Sequence, residues 1–473
     1  MNKKIHFISL GCPKNRVDSE VMLGVALRAG YTPVTEAEDA STIVVNTCGF
    51  IGEAKKESID TILEMEELKK LGSCKKLIVS GCLTQRYPEE IAEGMRSVDH
   101  LLGSSDMLKL EAILRGKEKD RMLVGNPAEW VIRASDPRVL SNSSVSAYVK
   151  IAEGCNRKCS FCTIPSFRGK QRSRSVADVV EECKSLVAQG VSEICLISQD
   201  TISYGRDKGV VQTGPRDSLA NLVEAVANVA GVQWVRLFYL YPETIDPALV
   251  ELLRSHPRVV PYVDMPLQHA ADAMLKRMKR GHGIDRQKRV VDHLRKQVPN
   301  LWFRTAFIVG HPGETESEFE ELVSFVEWAQ FEHMGVFRYS DEETTASFDI
   351  EEKVPPAIAA KRNRKLMSLQ RKISRKKNKT LVGQSVEVLV EGISEEHEFV
   401  MKGRHRGQAP EIDGQVFLSG EEVRAGDLVR ATISQASDYD LVGEVTEILH
   451  RKKMVSRKKS LPQITGSDTA TWR

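Results

Sequence analysis

Residues 147–162 read Ala147-Tyr148-Val149-Lys150-Ile151-Ala152-Glu153-Gly154-Cys155-Asn156-Arg157-Lys158-Cys159-Ser160-Phe161-Cys162. Ala147–Ala152 is a short apolar run of the kind that builds a buried strand. Glycine, asparagine and charged residues follow it and favour a loop, which lets Cys155, Cys159 and Cys162 wrap around one centre. A four-iron–four-sulfur cluster ordinarily takes four cysteine thiolates, one per iron. Three thiolates leave one iron open, and S-adenosylmethionine is able to chelate it through its amino and carboxylate groups. A zinc site would want a fourth ligand, and none lies near in sequence. The blander alternative is three buried thiols on one helical face, which the residues between them disfavour.

The strand–loop pattern repeats toward the carboxyl end. Candidate strands are Ala147–Ala152, Glu193–Ser198, Trp234–Leu240, Val259–Val263, Trp302–Val309 and Gly335–Tyr339, with helices between them. One helix is expected from Ser175 as N-cap, through Val176, Val179, Val180 and Val187, to a stop at Gly190. Six such repeats predict a complete or partial α/β barrel with its site at the carboxyl ends of the strands.

Toward the amino end, Ile5–Leu10, Thr42–Asn46 and Lys76–Ser80 read as buried strands, with helices over Asp18–Ala29 and Glu53–Lys70. This alternation predicts an open parallel sheet. Cys12, Cys48 and Cys82 each stand just past one of these strands, beside Gly11, Gly49 and Gly81. Open α/β sheets bind ligands along that edge. Three thiols far apart in sequence thus converge there and are candidates to hold a second cluster; scattered core cysteines are the alternative. Cys74, Cys183 and Cys195 read as structural.

From Leu381 the pattern changes to short alternating segments, Ser385–Leu389, Val429–Ile433 and Leu441–Val445, which predict a small β-barrel. The expected division is an N-terminal α/β domain over 1–132, a linker over 133–146, an α/β barrel core over 147–378 and the β-barrel over 379–450. A basic tail over 451–473 is expected to be disordered.

Composition bounds these readings. At 473 residues, 41% hydrophobic and 28% charged, the chain is long enough for several globular domains. Nine cysteines at irregular spacing do not make a disulfide framework and suit a reducing compartment. No apolar run approaches the roughly 18 residues of a membrane span. The first apolar run contains His6 and Ser9 and is too short for a secretion signal. A cytoplasmic protein without a membrane partner is expected. The net charge of +3 conceals a strong asymmetry. Residues 361–380 hold ten Lys and Arg and no acid, whereas residues 381–450 hold 14 Asp plus Glu against 5 Lys plus Arg, a balance of −9.

With both cysteine triads in view, the chain resembles the methylthiotransferases of the radical S-adenosylmethionine superfamily over about residues 4–450. The resemblance rests on Ser9-Leu10-Gly11-Cys12-Pro13-Lys14-Asn15, Asn46-Thr47-Cys48-Gly49-Phe50-Ile51, Gly81-Cys82-Leu83-Thr84-Gln85-Arg86-Tyr87 and the segment from Glu153 through Cys162-Thr163-Ile164-Pro165. Gln199-Asp200-Thr201, Tyr204-Gly205, Met265-Pro266-Leu267-Gln268-His269-Ala270 and Gly310-His311-Pro312-Gly313-Glu314-Thr315 extend it.

The resemblance implies an N-terminal methylthiotransferase domain, a radical-SAM core shaped as a partial TIM-type barrel, and a C-terminal TRAM barrel that recognises substrate. It implies that Cys155, Cys159 and Cys162 hold the radical-generating 4Fe–4S cluster and that Phe161 lies against the adenosine of S-adenosylmethionine. Gln199, Asp200, Gly310 and Gly313 would contact the same cofactor. Cys12, Cys48 and Cys82 would hold an auxiliary 4Fe–4S cluster that carries sulfur. One S-adenosylmethionine would methylate that sulfur; a second would give a 5′-deoxyadenosyl radical that takes hydrogen from the β-carbon of an aspartate. Such a carbon has no acidic proton for a base, so a radical is required.

Within the family the chain looks most like the branch that modifies ribosomal protein S-twelve of the small subunit. An electron donor and a sulfur source, both unidentified, are implied partners. The Cys12–Asn15 and Gln268-His269-Ala270 motifs point to that branch, and an acidic barrel suits a basic protein and repels RNA. Two readings compete: the transfer-RNA adenosine branch of the same family, and a non-enzymatic iron–sulfur protein that binds ribosomes. Two positions depart from the family pattern. His311 stands where a bulky apolar residue is usual, and Glu342-Glu343-Thr344 replaces an acidic–Gly–Thr run.

Overall fold

Short β-branched runs alternating with helices build the first two thirds of the chain into two parallel sheets. In the computed structural model, which describes residues 3–141, 145–208, 218–243, 245–394, 400–420, 422–452 and 462–466, the first sheet has six strands. Their order is Thr32–Pro33, Lys4–Ser9, Thr42–Thr47, Lys76–Gly81, His100–Leu102 and Met122–Leu123. The three strands read from sequence form its centre. The added ones are two or three residues long, too short for any periodicity to show. Phe7, Val44 and Ile78 pack on one face against Met22 and Leu110, while Ile43, Val45 and Val79 pack on the other against Ile62 and Leu83. Apolar layers on both faces are what a parallel sheet requires.

The helix expected over Asp18–Ala29 runs instead over Pro13–Arg28, with Cys12 as its N-cap. Pro13 at the first helical position is preorganised for this early start. Residues 13–26 are all buried, so the helix lacks the amphipathic pattern that would have marked its first turn.

The second sheet also has six parallel strands, ordered as in sequence: Ser146–Lys150, Glu193–Ile197, Trp234–Leu237, Val259–Asp264, Trp302–Val309 and His333–Arg338. Its first and last strands do not pair, so of the two barrel forms expected the partial one is present. The helix expected after Ser175 spans Val176–Ala188, and the Ser175 side chain accepts from the Asp178 N–H. A 25-residue helix, Pro356–Thr380, packs against the last strand. Its basic run disguises it: Ala359, Leu366 and Ile373 are buried at seven-residue spacing amid ten cationic side chains.

The third unit is a closed barrel of five strands, Ser385–Ile393, Met401–His405, Val416–Gly420, Leu428–Ala436 and Leu441–His450. Residues 404–413, from the end of the second of these strands onward, reach the core. Arg404 and Arg236 hold Glu193 at 2.5 and 2.8 Å, and Arg304 and Tyr262 hold Asp413 at 2.5 and 2.8 Å. Gly407 lies so close to Trp302 that a Cβ there would be 2.1 Å from the indole. Glu193, Trp302 and His333 each open their strand, so the small barrel seals the end of the core remote from the strands' carboxyl edge.

Two segments make more contacts than their composition suggests. The segment expected as a linker is packed: Arg138 pairs with Glu20 at 2.6 Å and Glu182 at 2.5 Å, and Leu140 and Ser141 are buried. Gly24 of the first helix admits the Pro137 carbonyl, which would lie 2.6 Å from an added Cβ. Residues 142–144 of that segment lie outside the described residues. Most of the tail expected to be disordered, residues 453–461 and 467–473, also lies outside them. Residues 462–466, however, form an ordered edge piece on the first sheet. Ser9 N–H donates to Thr465 O at 2.8 Å, Thr465 N–H donates to Phe7 O at 3.0 Å, and Ile464 is buried in the apolar layer. Thr32–Pro33 pairs only with Lys4 and Ile5, which leaves the remaining edge of that strand open to such a partner. Among the described residues no helix is long and apolar enough to cross a membrane.

Candidate active site

Each cysteine of the N-terminal triad stands where a strand ends and a helix or turn begins. Gly11, at φ +92°, brings the backbone so near the second loop that a Cβ would lie 2.7 Å from the Cys48 Cβ and 2.8 Å from its Sγ. Only glycine tolerates both that conformation and that contact. Asn15 ties the loops together by donating to Leu10 O and Thr47 O, both at 2.9 Å. Arg168, from the core, donates to Asn15 Oδ1 at 2.6 Å and to Cys82 Sγ at 3.1 Å. The sequence-predicted convergence of Cys12, Cys48 and Cys82 is therefore present.

The second triad is held from several sides. Cys155 N–H donates to Gly169 O at 3.1 Å, Ser160 N–H to Met278 O at 3.1 Å, and Arg280 to Cys159 Sγ at 3.2 Å. Ser160 Oγ meets Ser347 Oγ at 2.8 Å, and Ser347 in turn meets His311 Nε2 at 2.8 Å. His311, the departure from the family pattern, thus anchors the loop that carries the triad. Burial lowers its pKa to about 4, so it is neutral there.

All six cysteines line one chamber of about 260 Å³, together with Phe161, Gln199 and Asp200. Gly310 and Gly313, expected to contact the cofactor, are not brought to it. The strand Trp302–Val309 ends just before Gly310, which turns at φ +77° beneath Ala359 and lines a neighbouring cleft. Gly313 lies beside Arg277, its N–H donating to Glu352 O at 2.7 Å.

Burial pushes the Cys82 and Cys155 thiols up to about 11, Cys162 to about 12 and Cys48 higher still. Left alone these thiols stay protonated; a bound metal would hold them as thiolates. Three sulfurs to each side, with a guanidinium hydrogen-bonded to one of them, form a donor set that fits an iron–sulfur cluster. Gln199 Oε1 and Asp200 Oδ1 are buried there without a hydrogen-bond partner, which fits a polar ligand such as S-adenosylmethionine. Among the described residues no three His, Cys, Asp or Glu side chains gather around a point fit for one ion. A cuboidal cluster instead engages each thiolate through a separate iron, so its ligands stand farther apart.

Several residues of the site gave no sequence signal because their partners come from distant segments. Lys150 and Arg168 hold Asp18 at 2.6 and 2.9 Å, and both also reach Glu153. All four side chains are buried, and Arg168 alone of them lines the chamber. Burial alone would raise Glu153, but Lys150 and Arg168 hold it down to about 2. Glu342, the other departure, joins the domains by receiving Arg86 at 2.7 Å and Lys55 at 2.8 Å. The Lys14 ammonium lies 3.4 Å from the centre of the Tyr239 ring. A cleft of about 1430 Å³ opens between the first and last strands of the core and shares Ile51, Arg338, Tyr339 and Ser340 with the chamber.

Comparison with known proteins agrees with this architecture. Residues 4–103 match the uncharacterized protein family UPF0004, residues 149–326 the radical SAM superfamily, and residues 382–446 the TRAM domain. The chain is similar in fold to TsrM, a radical S-adenosylmethionine methyltransferase of Kitasatospora setae. That match has a TM-score of 0.53 at 15% identity and covers 73% of this chain and 77% of that one. Fold and sequence together make this a radical S-adenosylmethionine enzyme.

The chain is 67% identical over 447 residues to the ribosomal protein uS12 methylthiotransferase RimO of Sorangium cellulosum, covering 94% of this chain and 91% of that one. It is 47% identical to the protein of the same name from Myxococcus xanthus, covering 94% and 92%. The chain belongs to the uS12 methylthiotransferase family.

Proposed function

We propose that this chain adds a methylthio group to the β-carbon of an aspartate in ribosomal protein uS12, in the cytoplasm. The observation that carries the reading is the facing of two cysteine triads across one chamber. Cys155, Cys159 and Cys162 would hold one 4Fe–4S cluster, and Cys12, Cys48 and Cys82 a second. When bound, the clusters and S-adenosylmethionine would supply sulfur, a methyl group and a radical able to take hydrogen from an unactivated carbon. Arg280 and Arg168 would each hydrogen-bond one thiolate and stabilise its charge. Phe161 offers an apolar face to the adenosine, and the unpartnered oxygens of Gln199 and Asp200 accept from the cofactor's polar groups.

We assign residues 1–132 to the auxiliary-cluster domain, 147–378 to the radical core and 379–450 to the TRAM barrel, with 133–146 connecting the first two. The matched segments 4–103, 149–326 and 382–446 fall within these limits. The protein substrate would enter through the cleft that adjoins the chamber. The balance of −9 on residues 381–450 favours a basic protein there over transfer RNA.

Mass spectrometry of uS12 from a strain lacking this gene tests the proposal. The aspartate is expected to lose an adduct of about 46 Da; an adduct that persists would overturn it. Formation of 5′-deoxyadenosine by the anaerobically reconstituted protein with reductant separates an enzyme from a non-catalytic ribosome-binding protein.

A further inference from the structure

Lys14 stands two residues after Cys12, in the first turn of the helix Pro13–Arg28. Its side chain is 8% exposed and lines the chamber. The other cations of that wall are matched. Arg157 binds Asp200 and Glu243, Arg168 binds Asp18 and Glu153, Arg338 binds Glu53, and Arg280 donates to Cys159 Sγ and Pro266 O. Lys14, among the described residues, has only the ring face of Tyr239, at 3.4 Å. Of the charges acting on it, the foremost is that of Cys12, whose sulfur the auxiliary cluster would engage, and the carboxylates that follow are engaged elsewhere: Glu153 by Lys150, and Asp264 by the Tyr239 N–H at 3.1 Å.

Tyr239 is itself held in an unusual way. Its φ is +59°, a left-handed conformation that a bulky side chain adopts only when its surroundings enforce it. They do so here through Asp264 below its N–H and through its carbonyl, which accepts from Thr201 N–H at 3.1 Å. The ring thus forms a fixed floor under the ammonium. An ammonium this deep, with an aromatic face but no carboxylate of its own, lacks half of its complement. The positive end of the 16-residue helix adds to the same preference for an anion.

Resting on the function proposed above, we infer that Lys14 is the specificity-determining residue that receives the carboxylate of the aspartate being modified. The β-carbon is one bond from that carboxylate, so gripping it fixes the reacting carbon relative to both triads. Asparagine has nearly the same shape without the charge and would be rejected. A buried charge-assisted hydrogen bond supports discrimination of roughly ten- to a hundred-fold.

The test uses the reconstituted holoenzyme, a peptide spanning the modified aspartate of uS12, and the same peptide with asparagine. Binding is measured by fluorescence anisotropy and product by mass spectrometry. The unaltered protein is expected to prefer the aspartate peptide by roughly ten- to a hundred-fold, Lys14→Met to bind both about equally, and Lys14→Arg to keep most of the preference. Iron content of Lys14→Met, equal to that of the unaltered protein, shows that the chamber is intact. A Lys14→Met protein that still prefers aspartate overturns the inference. So does an equal loss with both peptides accompanied by weaker binding of S-adenosylmethionine, which would assign the ammonium to the cofactor's carboxylate. A preference that depends on Lys14 without any methylthio product supports the role of Lys14 and faults the function instead.

Discussion

Cys155 and Cys12 face one chamber from opposite domains, and their loss has different expected outcomes. Cys155→Ala should abolish 5′-deoxyadenosine formation. Cys12→Ala should keep it, lose methylthiolation and bind roughly half of the iron and sulfide, as one four-iron cluster of two would dictate. Retention of full iron in both variants would refute the assignment. The buried histidines set a separate, pH-dependent expectation. Burial lowers His311 to about 4 and His405 to about 3, so the folded protein resists protonating either. The unfolded chain takes up these protons near the ordinary value of 6.5. Stability is therefore complete above that pH and falls as pH drops from about 6.5 toward 4, by on the order of 3 kcal/mol for His311 alone. Urea denaturation at pH 7 and pH 4.5 measures the fall, and His311→Phe should make it smaller, with the share of His405 remaining. No sequence pattern predicts this neutral histidine, since its partner Ser347 lies 36 residues away.

At the level of elements, what could be read in advance depended on whether an element's neighbours are local. The three central strands of the first sheet and all six of the second are short apolar runs, visible without context. The helix Pro13–Arg28 hides its start because residues 13–26 are buried on every side. Pro356–Thr380 hides altogether behind its basic residues. The candidate cysteines were legible because strand ends and glycines place them. Arg168 and Glu342 were not, because a buried ion pair is defined by a partner from another domain. Glu342 carries a test of that kind. Its carboxylate and the Arg86 guanidinium are both 2% exposed, so Glu342→Ala strands a buried cation beside Gly49. The expected cost is roughly 3–5 kcal/mol, with earlier proteolysis between the N-terminal domain and the core. Unchanged proteolysis would show that the domains are held by other contacts.

Across the whole molecule, the small barrel closes one end of the core while the N-terminal domain covers the other, and a lateral cleft opens between them. Segments far apart in sequence meet on the first sheet, where Thr465 lies against Phe7 and Ser9. Removing residues 462–473 should accelerate hydrogen exchange at the Ser9 amide while leaving strand Thr42–Thr47 protected. Equal exchange with and without the segment would show that this edge contributes nothing. A polypeptide emerges from its amino end, so the strand Lys4–Ser9 is synthesised long before the segment 462–466 that flanks it. The domain carrying one triad thus gains this edge contact only after the core and the small barrel between the two segments have been made. Nascent chains released before residue 462 would carry an unfinished border beside their first thiol.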